Sequence, residues 1–189
     1  MESEKKSLVA FFSRTGENYA VGNVSEGNTE ILAGIIADET GSDVFRIETE
    51  MPYPEQYDMC VKVSIQEKRS DARPAIKGDI RIEDYDMIYL GYPNWCGDMP
   101  MAVYTFISSH IWNGKKIAPF CTNEGSGLSG TEERIRSSCP GATVLKGLSV
   151  RGTAAQQEKD KVRFDVKAWL KTLGIGLSGH LELPLGKAK

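Results

Sequence analysis

The chain is 189 residues long, 40% hydrophobic and 26% charged, with a formal net charge of -3 at pH 7. That length fits one ordinary domain, and at this size about 70% of the unfolded surface is buried on folding, so a core needs neither disulfides nor metal. Collagenous, low-complexity and disordered classes are excluded by composition, no run of about 18 apolar residues marks a membrane helix, and the mild negative charge argues against nonspecific nucleic-acid or anionic-membrane binding.

In chain order, a polar start leads into the apolar residues 8–12, read as the first strand. Ser13-Arg14 ends that run too soon for a secretory signal, so a cytoplasmic location is expected. A helix follows from about Asn28, with Ile31, Ile35 and Ile36 on one face and Gly41 at its end. Residues 44–47 read as a second strand, and a helical segment runs from Glu55 to about Ser70, closed by Arg73-Pro74. Residues 87–92 are almost wholly apolar, as suits a central parallel strand covered on both faces. A helix is expected over 100–110 and a fourth strand over 116–121, where Pro119 is awkward for a central position. Ser129-x-x-Glu132 has the pattern of a capping box before a fourth helix. A fifth strand over 144–150 is interrupted by Lys146-Gly147, and Thr153-x-x-Gln156 is a second capping-box pattern. The last helix buries Val162, Val166, Trp169, Leu170 and Leu173.

Five strands alternating with helices predict an α/β fold, a three-layer doubly wound parallel sheet with right-handed crossovers. One domain over residues 1–174 is expected, with a C-terminal tail over 175–189. Cys60, Cys96, Cys121 and Cys139 form no C-x-x-C pair and none has an Arg six residues on, so zinc-knuckle, thioredoxin-like and cysteine-phosphatase chemistries lack support, and no metal site is expected. His110 and His180 lie in no catalytic pattern and read as incidental.

In open α/β sheets ligands bind beyond the carboxyl ends of the strands, and three loops of unusual composition fall there. Ser13-Arg14-Thr15-Gly16-Glu17-Asn18, rejoining a helix at Gly27-Asn28-Thr29-Glu30, offers hydroxyls and helix-start amides suited to a phosphate. Residues 14–27 make a long loop, and such loops are often functional. It is neither a G-x-G-x-x-G nor a G-x-x-x-x-G-K-[ST] pattern. Tyr92-Pro93-Asn94-Trp95-Cys96-Gly97-Asp98-Met99-Pro100 places an indole after a buried strand, where a flat ligand stacks or, alternatively, where the indole folds back on the sheet edge. Thr122-Asn123-Glu124-Gly125-Ser126-Gly127 permits close backbone approach, or is a plain Gly-Ser turn.

Together the three loops resemble those of the flavodoxin-like family, which binds flavin mononucleotide (FMN), over residues 8–173. Ser13-Arg14-Thr15-Gly16 resembles the start of its phosphate loop, with Asn28-Thr29 as the displaced end, as in long-loop members. Many relatives carry a second Trp where this chain has Cys96. The resemblance implies strand order 2-1-3-4-5 and a non-covalently bound FMN. It implies phosphate contacts from Ser13, Arg14, Thr15, Gly16, Asn18, Asn28 and Thr29. Ring contacts fall to Pro93, Asn94, Trp95, Cys96 and Gly97, with Thr122, Asn123, Glu124 and Gly125 at the other edge. Asp98 or Glu124 near the ring would disfavour extra negative charge there. No residue is implied as a catalytic acid, base or nucleophile. The implied function is electron transfer with a redox partner protein or small acceptor, by a monomer or homodimer. The alternative is an FMN-dependent NAD(P)H:quinone (or related acceptor) oxidoreductase.

Overall fold

The computed structural model describes residues 6–176, so most of the expected tail, and His180 with it, lies outside the described residues. The elements are β1 (Ser7–Phe11), β2 (Gly16–Asn18), β3 (Gly22–Val24), α1 (Asn28–Thr40), β4 (Asp43–Arg46), α2 (Tyr57–Arg69), β5 (Met87–Pro93), α3 (Met101–Ser108), β6 (Lys116–Asn123), α4 (Thr131–Ser138), β7 (Thr143–Val144), β8 (Leu148–Arg151), α5 (Gly152–Gln157) and α6 (Lys159–Thr172).

The large sheet runs β4-β1-β5-β6-β7, with β8 also paired to β6, and every pairing in it is parallel. With β7 and β8 counted as one broken fifth strand, this is the 2-1-3-4-5 order. The doubly wound α/β class is therefore present. Alternation along β1 divides the core. Leu8, Ala10 and Phe12 join one buried cluster with Val103 and Phe106 of α3 and Ile135 of α4. Val9 and Phe11 join the other with Ile31, Leu32 and Ile36 of α1 and Val162, Val166 and Leu170 of α6. Gly41 ends α1 in the left-handed conformation, donating its amide to the Ala37 carbonyl.

Pro119 sits inside β6 because the neighbouring strand is absent there. The Ile117 carbonyl accepts from the Leu145 amide, so odd-numbered residues of β6 direct their backbone groups toward β7 and β8. β7 pairs with residues 116 and 117, and β8 resumes only at Phe120. The missing N–H of Pro119 thus falls at the Lys146-Gly147 break. Gly91, in the centre of β5, leaves room for Phe120, whose ring atoms would stand 2.1 Å from a Cβ at that position.

Three features depart from the sequence expectation. Residues 16–24 form an antiparallel hairpin, β2 and β3, inside the long first loop. α2 buries only Cys60 and Ser64, and neither belongs to a core cluster, so it covers little of the sheet. Neither capping-box pattern acts as one. α4 begins after Gly130 without a side-chain cap, and Glu132 Oε1 accepts instead from the Gly147 amide at 2.6 Å. α5 begins at Gly152, and Thr153 donates from its amide and hydroxyl to Glu124. At α5 a tertiary carboxylate answers the helix start, whereas at α4 the Glu132 carboxylate is spent on the loop before β8. Among the described residues no helix is long and apolar enough to cross a membrane.

Candidate functional site

Beyond the carboxyl ends of β1, β5 and β6 the backbone opens into one cavity of about 390 Å³. Its walls come from the loop after β1, the start of α1, the loops after β5 and β6, and one face of α2.

At one end lies the start of α1. Ser13 Oγ accepts from the Glu30 amide at 3.1 Å. Among the described residues nothing accepts from the amides of Asn28 and Thr29, two of the orphan donors every helix start carries. These amides and the helix dipole favour an anion. The Asn28 side chain is fixed by Gln156, which donates to its Oδ1 at 2.9 Å. Thr29 Oγ1 and Thr122 Oγ1 share a buried hydrogen bond of 2.7 Å that ties α1 to β6 behind the wall.

The hairpin after β1 is clamped to the segment before α2. Arg14 donates to the carbonyls of Glu17, Pro54 and Glu55. Glu17 Oε2 accepts from the Tyr57 amide at 2.8 Å, a carboxylate at the start of α2. Tyr19, 64% exposed, leans over Tyr57 with ring centroids 6.0 Å apart.

The loop after β5 is a tight hairpin turn. Trp95 and Asp98 exchange backbone hydrogen bonds, and Cys96 and Gly97 both have positive φ, 54° and 72°. That is the pattern of a type I′ turn, which suits Gly97 and strains Cys96. Trp95 is half-buried. It meets Phe12 and Tyr53 edge-on, with centroids 5.2 and 5.0 Å away, and also lines the cavity. The reading in which the indole folds back on the sheet edge is met by these contacts, and the rest of the ring faces the cavity. Asn94 braces the loop against its neighbour. Its Nδ2 donates to the Gly127 carbonyl and Ser129 Oγ, and its Oδ1 accepts from the Gly97 amide.

The model of the flavodoxin family matches residues 6–172. The chain belongs to the flavodoxin family. Solved structures share the fold of this flavodoxin-family chain. A Bacteroides uniformis protein provisionally assigned as a flavoprotein is 27% identical, with TM-score 0.69 over 89% of this chain and 99% of that one. A counterpart from Bacteroides eggerthii is 25% identical, with the same TM-score over 91% and 99%. A Lactobacillus acidophilus flavoprotein solved in complex with FMN is 18% identical, with TM-score 0.61 over 83% and 99%, a likeness of fold. No curated protein matches significantly.

In this family member, Arg14, Asn18, Asn28, Pro93, Asn94, Trp95, Cys96, Thr122, Asn123 and Glu124 of the expected site residues line the cavity. Ser13, Thr15, Gly16, Thr29, Gly97, Asp98 and Gly125 do not. Ser13 and Thr29 support the wall from behind, as above, and Thr15 is exposed. Asp98 is turned away. It is 7% exposed and accepts from the Met99 amide and Tyr104 hydroxyl, with Arg134 Nη1 at 3.1 Å and Lys68 Nζ at 3.6 Å. Its charge is neutralised locally and does not face the cavity. Glu124 lines the cavity, but its carboxylate is engaged by α5. The Arg14 guanidinium is likewise held by carbonyls.

Tyr19, Tyr57, Cys60, Val61, Ser64 and Ser126 line the cavity without having been expected there. Tyr57, Cys60, Val61 and Ser64 share one face of α2 at helical spacing. Burial pushes the Tyr57 phenol and the Cys60 thiol above their ordinary ranges.

Proposed function

We propose that this chain holds FMN in the cavity and transfers electrons through it. The cofactor is FMN, which supplies reversible one- and two-electron chemistry when bound. The observation that carries the reading is the pairing, in one cavity, of an anion-favouring helix start with a half-buried indole.

The residues fit the group. The unanswered amides of Asn28 and Thr29 are the donors for phosphate oxygens, with Arg14 and Asn18 beside Asn28 in the cavity wall. Trp95 offers a ring face, with Pro93, Asn94 and Cys96 completing that wall. Thr122 and Asn123 bring the backbone of the third loop to the opposite edge. Asn123 Oδ1 accepts from the amides of Gly125 and Gly127, which fixes that loop before any ligand arrives. A site braced in this way loses little entropy on binding. Because Asp98 and Glu124 are engaged elsewhere, neither puts an unpaired charge against the ring.

A redox partner protein or a small acceptor then takes the electrons at the cavity mouth. Exposed Cys96 specifically favours the second reading, a reductase, because a short side chain leaves more of the mouth open than a second Trp would. Titration of FMN with the purified protein is expected to quench the FMN fluorescence, and unchanged fluorescence sinks the FMN reading. Photoreduction followed by absorbance separates the two roles. Two resolved one-electron stages mark a carrier, and a single two-electron stage with rapid NAD(P)H oxidation marks a reductase.

A further inference from the structure

Cys60 and Cys96 are free thiols in the wall of the same cavity. They come from α2 and from the turn after β5. Cys60 is 4% exposed, and its thiol has no hydrogen-bond partner among the described residues. Cys96 is exposed and held at φ 54°. Ser64 lies one turn beyond Cys60 on the same face of α2, and its Oγ is 3.6 Å from Cys96 Sγ. A turn further along, Lys68 donates from Nζ to the Cys96 carbonyl at 2.8 Å. The axis of α2 therefore runs past Cys96, and Cys60 follows Ser64 toward the helix start on the same face, about 6 Å along the axis. Burial raises the Cys60 thiol above its ordinary range, with Arg14 opposing the shift and Glu67 and Cys96 adding to it.

We propose that Cys60 and Cys96 form a redox-responsive pair that closes to a disulfide when a peroxide reaches the cavity. The exposed Cys96 thiol releases its proton and attacks one peroxide oxygen as the thiolate, the O–O bond breaks, and the departing hydroxide takes up that proton, leaving Cys96 sulfenic acid and one water. The Cys60 sulfur then attacks the Cys96 sulfur, the S–O bond breaks, and the hydroxyl leaves as a second water with the Cys60 proton. Two thiols lose two electrons and two protons in all, and the peroxide is reduced to two waters.

A disulfide requires Cα atoms within about 4.4–6.8 Å, so closure fixes the turn against α2 in that narrow range. Cys96 is held at a positive φ disfavoured for most residues other than glycine, so moving the turn releases that strain against the hydrogen bonds that Asn94, Lys68 and Arg134 make to it. Trp95 is the preceding residue and moves with it. Closure therefore deforms the wall proposed to hold the flavin ring, and this consequence alone rests on the FMN reading. Cys121 and Cys139 are 0% and 1% exposed, and burial holds both thiols at about 12, so the same peroxide dose leaves them reduced.

The test uses the FMN-free full chain treated with hydrogen peroxide, followed by intact mass and non-reducing peptide mapping. The expected result is a loss of two hydrogens, about 2 Da, in a cross-link joining the Cys60 and Cys96 peptides, reversed by dithiothreitol. C60S is expected to stop at oxygen adducts on Cys96, and C96S to resist the same dose. Oxidised protein is expected to bind FMN about 10-fold more weakly, and reduction to restore binding. Cys96 oxidised to sulfinic acid with Cys60 still free, or no change in mass, overturns the pair. A cross-link that leaves FMN affinity unchanged overturns the coupling to Trp95. If the reduced protein fails to bind FMN, the FMN reading falls, while the mass measurement still decides the pair.

Discussion

Trp95 shows how much one residue carries. Its position directly after a buried strand and between Pro93 and Gly97 was legible in the sequence, and so was the split between stacking and packing. What was not legible is that the ring packs on one side and lines the cavity on the other, because Phe12 and Tyr53 come from distant segments. If the free ring face stacks on flavin, the contact is worth about 1–3 kcal/mol by analogy with aromatic stacking on nucleobases. Trp95→Ala is therefore expected to weaken FMN binding about 10-fold or more in a fluorescence titration. Unchanged affinity would remove Trp95 from the ring site. His110, incidental by sequence, is structural. Its ring packs against Phe106 and Trp112, with Asp79 Oδ1 3.9 Å away. Burial pulls its pKa below 6.5, outweighing Asp79 and Glu83. Between the lowered value and 6.5 the unfolded chain binds a proton that the folded chain does not. Acidification through that window is therefore destabilising, and stability is regained as pH rises past 6.5. Thermal melts at pH 5.5 and 7.5 are expected to differ less for His110→Phe than for the wild type.

At the level of elements, the legible parts are those whose apolar pattern answers the sheet. Ile31, Ile35 and Ile36 marked α1, and Val162, Val166, Trp169 and Leu170 marked α6, because each stripe packs on the sheet. α2 was placed within two residues of its true start, yet its role as a cavity wall was hidden. Its apolar stripe of Tyr57, Val61 and Ile65 is only partly buried, and Cys60 and Ser64, its buried residues, are uninformative types. The β2–β3 hairpin escaped notice for a different reason, since three-residue strands show no periodicity. The start of α5 departs from its local pattern because its partner lies far away in sequence. Glu124 caps α5 across 29 positions, with Thr153 N at 2.7 Å. Glu124→Ala leaves those donors unanswered and is expected to cost about 1 kcal/mol. A urea-unfolding midpoint equal to that of the wild type would show that the cap contributes nothing.

For the molecule as a whole, the cavity is assembled from segments that meet only after folding: the loops following β1, β5 and β6, the start of α1 and one face of α2. A ligand that binds only this assembled state stabilises the entire chain. At FMN concentrations about 100 times the Kd the gain is about 2.7 kcal/mol, which for a chain of this size raises Tm by about 5–10 °C. A calorimetric or fluorescence melt checks this, and a Tm indifferent to saturating FMN contradicts binding to the folded cavity.

The break opposite Pro119 has a consequence for life among other chains. Open sheets end in strands with unpaired backbone groups, and long flat edges recruit strands from neighbouring molecules. Here one margin of the sheet is cut into pieces of two and four residues, separated by Lys146-Gly147. No uninterrupted ladder is offered along that side. The same proline that looks misplaced in a central strand thus faces a margin poorly suited to templating edge-to-edge aggregation.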